Sequence, residues 1–347
     1  MIRRLRGACG VLSMVLALGA WWGIPIAAQS AAPEKARAGT REWTHPKTPW
    51  GDPDLQGIWN NTAWNAVPLE RQDEQALREQ QRQRESPAAR RAAGLGYDSH
   101  IWGEGVRAGR GDRPVATHII VDPEDGKLPP LAPEARKRAD ARTESRRGLS
   151  LDEPRPGAWV HDITLWVRCI SRGLPDAMFP RLYNNNYYQI LQVPGYVVIL
   201  YEMIHDARII PVDGRPHLPR TVRQWMGDSR GRWEGNTLVV ETTNFIGNEF
   251  SLIPHGGGGN GTYLGAGERL HLVERFTRLD AETIDYRFTL NDPKLYTRPW
   301  TGAIPLTTNG SPRDILEYAC HEGNYSIVNI LNGAYERDRA AGASTRP

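Results

Sequence analysis

Glu202, His205, Asp206 and Arg208 lie close together in a stretch that is otherwise rich in Val, Ile, Leu and Tyr. Side chains of these types can do proton chemistry when apolar surroundings change their affinities. A desolvated carboxylate gains proton affinity, an imidazole titrates near neutral pH, and a guanidinium steadies an anion. Apolar residues fill nearly every other place between Tyr196 and Val212, so both faces of the stretch are expected to be buried and each charge to need a partner. On a regular strand Glu202, Asp206 and Arg208 share one face and His205 takes the other. A bulge near His205-Asp206 would bring all four together. The plainer reading of the same residues is a buried ion-pair cluster that satisfies only itself.

Cys320-His321-Glu322 forms a second candidate group. A disulfide at Cys320 would fix the backbone and aim His321 and Glu322, which suits a site. The competing reading is a helix start in which Glu322 and Asn324 favour the N-terminus. Glu202, His205, Asp206, His217, His321 and Glu322 are all possible metal ligands, but no HExxH or other ligand spacing joins them. No cofactor is therefore expected, with a divalent metal as the alternative. Gly227 to Gly231 fits GxSxG, and His255 to Gly258 fits an HGGG oxyanion motif. Both read as decoys, because Ser229 lacks the strand-to-helix setting of a nucleophile elbow and the HGGG run follows the serine instead of preceding it.

Aromatic and amide side chains offer a wall for a ligand. Tyr183, Asn185 and Tyr187 stand at the start of the first strong strand, and Trp225 and Trp300 are further candidates for stacking on sugar or aromatic rings. The plain alternatives are a turn for the asparagines and core packing for the tryptophans.

The elements that must position these groups follow from the residue pattern. Strands are expected at Tyr187 to Val193, Tyr196 to Val212, Thr237 to Phe245, Leu270 to Arg278, Thr283 to Leu290, Thr297 to Leu306 and Ile315 to Cys320. Pro194-Gly195, Glu234-Gly235-Asn236 and Asn291-Asp292-Pro293 supply turns. As one strand, Tyr196 to Val212 would run about 56 Å, so it should bend or bulge near His205. Further upstream come short strands at Asp54 to Asn60 and Ile119 to Asp122 and a polar helix from Pro68 to about Arg91. A second polar helix starts at Pro133, and a proline-rich loop then acts as a lid or brace. A closing helix is expected over Tyr325 to Ala334. Consecutive strands without helices between them imply a mainly β fold, an antiparallel meander closed into a lipocalin-like barrel or a curled sheet, with peripheral helices and a long irregular N-terminal part.

Arg3, Arg4 and Arg6 precede an apolar run to about Ala28, the layout of a signal peptide, so residues 1–30 are expected to be removed on export to the periplasm or medium. The Arg3-Arg4 pair leaves the twin-arginine and general routes both open. Residues 31–48 read as a disordered tail, 49–182 as a strand with polar helices and lid-like loops, and 183–347 as the β core. The formal charge is +3 and the leader carries three arginines and no acids, so the mature chain has 3 − 3 = 0. That balance argues against nucleic acid as a partner. A small-molecule ligand or substrate is expected, with no stable membrane insertion after leader cleavage. Cys9 leaves with the leader, so Cys169 and Cys320 remain as one pair in an oxidising compartment and are expected to form a disulfide.

The segments DPDLQGIW, VDPEDGKLPPL, RCISRGLP, YNNNYYQILQ, EMIHDARIIPVDGRPH, GRWEGNTLVVETTNF, LVERFTR and YACHEGN together resemble a group of exported β-rich proteins from environmental bacteria. The resemblance covers nearly the whole mature chain; it implies export and a shared β core but no particular reaction. Gly57 with Trp59, and the strand meander, resemble a lipocalin, although the long insert between Trp59 and Tyr183 departs from that pattern. The leading expectation is an enzyme that uses His205 with Glu202 or Asp206 for proton transfer and Arg208 to steady negative charge, with His321 and Glu322 on the opposite wall. Hydrolase, lyase and isomerase chemistry on a small apolar, aromatic or sugar-containing molecule all stay open. The alternative is a noncatalytic carrier of a small hydrophobic ligand.

Overall fold

Alternation of apolar and polar side chains makes most of this chain strand, and the buried set of each strand faces one shared core. The computed structural model describes residues 43–64, 67–73, 75, 78, 82, 117–149, 153–157, 159–180, 187–246, 268–308, 311 and 314–342. The expected leader, most of the tail, most of the polar helix from Pro68, the His255 motif, and Tyr183 with Asn185 lie outside the described residues. The described chain begins before residue 48: Lys47 bridges Pro53, Thr48 is buried, and the Arg278 guanidinium lies over the rings of Trp43 and Trp59.

Eleven strands form one antiparallel sheet. They are β1 (Gly57–Asn60), β2 (Ile120–Asp122), β3 (Tyr187–Val193), β4 (Tyr196–Tyr201), β5 (Ala207–Pro211), β6 (Asp228–Glu234), β7 (Thr237–Thr243), β8 (His271–Arg278), β9 (Thr283–Asn291), β10 (Trp300–Ala303) and β11 (Leu306–Thr307). Their order is β5-β4-β3-β1-β11-β9-β8-β7-β6, with β10 pairing β9 and β2 off that path. Two meanders, β3 to β5 and β6 to β9, are thus joined through the short strands β1 and β11. The core lies inside the curl, where Phe276, Tyr286, Phe288 and Trp300 are fully buried and Tyr286 stacks on Phe288 at 5.7 Å.

The sheet is not closed into the expected barrel. Its end strands, β5 and β6, share no backbone ladder and meet through side chains instead. Gly231 on β6 is what permits this approach, since a Cβ there would come within 2.8 Å of Val212 Cγ1 and 3.0 Å of Ile210 Cγ2. Side chains filling the seam take the space in which a ladder would form.

Three further expectations change. The stretch Tyr196 to Val212 does turn near His205, not by a bulge but by full reversal, and β4 and β5 form a hairpin with Tyr196 opposite Pro211 and Leu200 opposite Ala207. A single 3-10 turn, Met203–His205, makes the reversal, with positive φ at Ile204 (65°) and His205 (48°). The segment from Ile315 to Cys320 is not a strand and has no ladder partner. Thr297 to Leu306 divides into β10 and β11, and β6, absent from the expected strands, pairs along its full length with β7.

Helix α1 (Pro133–Ser145) has Pro133 at its first position and Glu134 in its first turn, and only Ala135 and Ala139 are buried, as its polar sequence requires. The segment after it is a brace. Arg146 and Arg155 both bond the buried carboxylate of Asp162, at 2.8 and 2.6 Å. Burial alone would raise the Asp162 carboxyl, but the two guanidiniums hold it below its ordinary value. Helix α2 (Tyr325–Ala340) closes the described chain. No helix among the described residues is long and apolar enough to cross a membrane.

Candidate functional site

The β4–β5 reversal carries Glu202 and His205 to the rim of the sheet, and the segment Ile315 to Glu322 crosses the same rim. Between them lies an open cleft of about 600 Å³, within the range of ligand sites. The sheet side supplies Gln189, Leu200, Tyr201, Glu202 and His205; the opposite wall includes Glu317, Tyr318, His321 and Glu322. Ionisable groups from two remote stretches of sequence therefore share one concavity.

A disulfide between Cys169 and Cys320 ties that wall to the brace, with the two Cα atoms 5.8 Å apart. Since 320–322 has no ladder to hold it, this covalent tie and hydrogen bonds from its neighbours hold it in place. Asn324 Nδ2 donates to the Val167 carbonyl at 3.2 Å, and His205 Nδ1 lies 3.0 Å from the Tyr318 carbonyl oxygen. A carbonyl can only accept, so Nδ1 is the donor, and whenever the ring is neutral Nε2 keeps its lone pair. The imidazole of His321 faces that of His205 at 6.5 Å between ring centroids.

Glu202 is buried, and its backbone N–H donates to the Tyr187 carbonyl. Asp206 sits behind His205, where it accepts a hydrogen bond from Ser171. Desolvation raises the proton affinity of its carboxyl, an effect that Ser171 and the nearby His205 offset in part.

Arg208 does not join the cleft, which corrects the role expected for it. On β5 it points into the curl, where Nε donates to Ser229 Oγ (2.9 Å) and Nη2 to Thr242 Oγ1 (2.7 Å) and Glu274 Oε2 (2.5 Å). Tyr286 completes the network by donating to Glu274 Oε1 at 3.0 Å. Burial alone would lower the proton affinity of Arg208, but the charge of Glu274 raises it above its ordinary value; burial pushes the Tyr201 hydroxyl up to about 12. This is the self-satisfied ion-pair reading, and it applies to Arg208 alone of the four. Ser229 of the GxSxG match lies on a strand and is held within this network, so it is not a nucleophile elbow.

Among the expected aromatic positions, Tyr187 is buried on β3 and outside the cleft lining, and Trp225 is half-buried in the turn before β6. Trp300 is wholly buried against Phe288, ring centroids 5.7 Å apart, so it is core and not a ligand wall. Tyr318 lines the cleft instead, while Tyr201, also at its edge, keeps its ring buried on the inner face of β4. Tyr318, Glu317 and Gln189 were not singled out from the sequence, although the first two adjoin Cys320 and would move with it. Glu274 did carry a signal: in LVERF it shares the period-2 face of Leu272 and Phe276, both fully buried.

His217 lies apart from the cleft and pairs through Nδ1 with Asp228 Oδ2 at 2.8 Å. Among the described residues no group of three or more His, Cys, Asp or Glu side chains is placed to hold a metal ion. No family model matches the chain, and neither a curated protein nor a solved structure matches it.

Proposed function

We propose that this chain is an exported enzyme that performs acid–base chemistry in the cleft, with His205 as the proton acceptor and His321 or Glu322 as the opposing donor. The observation that carries this reading is the His205 imidazole, pinned through Nδ1–H to the Tyr318 carbonyl and facing His321 across the cleft. A neutral imidazole oriented through one nitrogen presents the other as a base, and a second titratable group opposite allows the proton to be returned. Glu202 lies on the same wall and completes the charge pattern. Hydrolysis, elimination and isomerisation can each use such a pair. The disulfide agrees with an oxidising compartment and so supports export.

The test is His205→Asn, because the asparagine amide can still donate to the Tyr318 carbonyl while the basic nitrogen is lost. Turnover is screened with aryl esters, aryl glycosides and carbonyl compounds bearing an exchangeable α-proton, the last followed by NMR in D2O. For any substrate converted, kcat/KM should fall about 100- to 10,000-fold in His205→Asn, the range for loss of a general base, with folding unchanged by circular dichroism. Unchanged turnover would reject the role. A carrier would instead show no turnover across the panel and an intact small molecule in native mass spectrometry.

A further inference from the structure

The wall that carries His321 and Glu322 is held differently from everything around it. The sheet has its ladders, and the brace has the Asp162 carboxylate bonded by Arg146 and Arg155 and the buried Arg172–Asp176 pair at 2.9 Å. Helix α2 is pinned to the brace at its far end, where Arg337 bonds Glu153 and the Pro154 carbonyl, and Asp338 accepts from the Gly157 N–H. Upstream, Asn60 donates to Ser311 Oγ at 2.8 Å. Between these anchors, residues 314–324 have no ladder. Among the described residues, their hydrogen bonds to the rest of the chain come from the Tyr318 carbonyl, which accepts from His205, and from Asn324, which donates to Val167. The covalent tie is Cys169–Cys320.

Cys320 stands two residues from Tyr318, whose carbonyl orients the His205 ring, and next to His321. One bond therefore governs both imidazoles. The bond is also within reach, because Cys320 lines the open cleft, and Asn324 Nδ2 lies 3.3 Å from Cys169 Sγ, where a donor steadies a departing thiolate. We propose that the Cys169–Cys320 disulfide is a redox latch on the cleft, closed when oxidised and released by a dithiol reductant. In the exchange a reductant thiolate attacks Cys320 Sγ; the new S–S bond forms as the Cys169–Cys320 bond breaks, and Cys169 leaves as a thiolate beside Asn324. The second thiolate of the reductant then attacks the reductant sulfur of the mixed disulfide, Cys320 leaves, and both cysteine thiolates take up protons. Two electrons pass to the chain, and the reductant ends as its own disulfide. Residues 314–324 then leave the rim with the Tyr318 carbonyl and His321, while sheet and brace keep their own bonds. This rests on reading the cleft as the working site and adds its regulation.

The test treats the full exported chain with dithiothreitol and then reoxidises it with oxidised glutathione. Free thiols are located by alkylation and mass spectrometry, the ring protons of His205 and His321 are followed by NMR, the sheet by circular dichroism, and turnover with any substrate converted in the panel. Reduction should expose Cys169 and Cys320 to alkylation and move both ring signals, with the circular dichroism unchanged. The value of kcat/KM should fall about 100-fold, as for a catalytic group misplaced by about 1 Å, and reoxidation should restore it. Cys169→Ser combined with Cys320→Ser should show the reduced turnover and no response to dithiothreitol.

Cysteines that stay closed to alkylation under excess dithiothreitol would overturn the inference, as would imidazole signals unmoved in the reduced chain. So would loss of the sheet signal on reduction, since the disulfide would then staple the fold and not latch the cleft. Turnover that reduction leaves intact while His205→Asn removes it rejects the latch and leaves the proposed reaction. Ring signals that move reversibly with reduction while His205→Asn keeps full turnover reject the reaction and leave the latch.

Discussion

On strands β6 to β9 the outward positions are laced with charge: Arg232 pairs with Glu234 and Glu241, Arg275 with Glu234, Arg287 with Asp285, and His271 with Glu241. On β3 to β5 the outward positions include Gln189 and Tyr196 but are mostly aliphatic: Leu191, Val193, Val198, Leu200, Ala207 and Ile209. Both halves belong to one sheet and bury the same kind of core on their inner face, so folding alone does not require the difference. The ion-paired half is a surface built to stay in water. The apolar half borders the cleft, and exposed apolar surface of this kind commonly marks an interaction site. The halves also treat buried charge differently: the curl consumes Arg208 and Glu274 in mutual neutralisation, while Glu202 and His205, a few residues away, stay at the rim.

The largest effect expected from this contrast is on the buried pair. Glu274→Ala should cost about 3–5 kcal/mol, because it leaves the Arg208 charge buried without its counterion, and Arg208→Met combined with Glu274→Leu should recover most of that. Urea melts of the three variants check it, and a small single-variant loss would break the distinction between structural and rim charges. Next comes the disulfide. Cys169→Ser should cost about 2–4 kcal/mol in the same melts, in line with the long loop that is opened, and the NMR signal of His321 should move as the wall is released. An unmoved His321 signal would show that hydrogen bonds alone hold the wall.

Surface changes should be smaller and of opposite character in the two halves. Arg232→Ala removes two exposed ion pairs and should lower stability by no more than about 1 kcal/mol, in a manner that salt suppresses. Ile209→Ser should leave stability within about 0.5 kcal/mol, with no dependence on salt, in the same melts. The smallest effect concerns Asp206. Its folded carboxyl is raised mainly by desolvation, so the folded state prefers the protonated form. The stability it contributes is full below the unfolded value of 3.8 and is lost as pH rises through the folded value. Asp206→Asn, which keeps an acceptor for Ser171, should therefore raise the melting temperature at pH 7 and leave it unchanged near pH 3. A drop at pH 7 would mean that Asp206 is held as a needed carboxylate.

Several parts of the molecule were readable from local pattern. Tyr187 to Val193 is β3 residue for residue, Pro133 begins α1, and Cys169 and Cys320 are joined. Others misled for physical reasons. Ile315 to Cys320 alternates well enough for a strand, yet a strand needs a partner ladder and none is beside it. Asp228–Glu234 looks too polar for a strand, but Asp228 is satisfied by His217 and Arg230, and Arg232 and Glu234 face solvent.

What the order of residues determined by itself is the main run of meander strands, such as β3, β7, β8 and β9, the inward and outward faces of these, and the pairing of Cys169 with Cys320, because periodicity and elimination are properties of the chain read locally. What only the tertiary structure decided is which charge meets which. Arg208 turns inward to Glu274 and His205 turns to Tyr318 across the cleft, since partners so far apart in sequence are chosen by the curl of the sheet and by the tight reversal at Ile204 and His205. Coulombic and hydrogen-bond energies fall steeply with distance, so a side chain's role is set by its neighbours in space, and those neighbours exist only after folding.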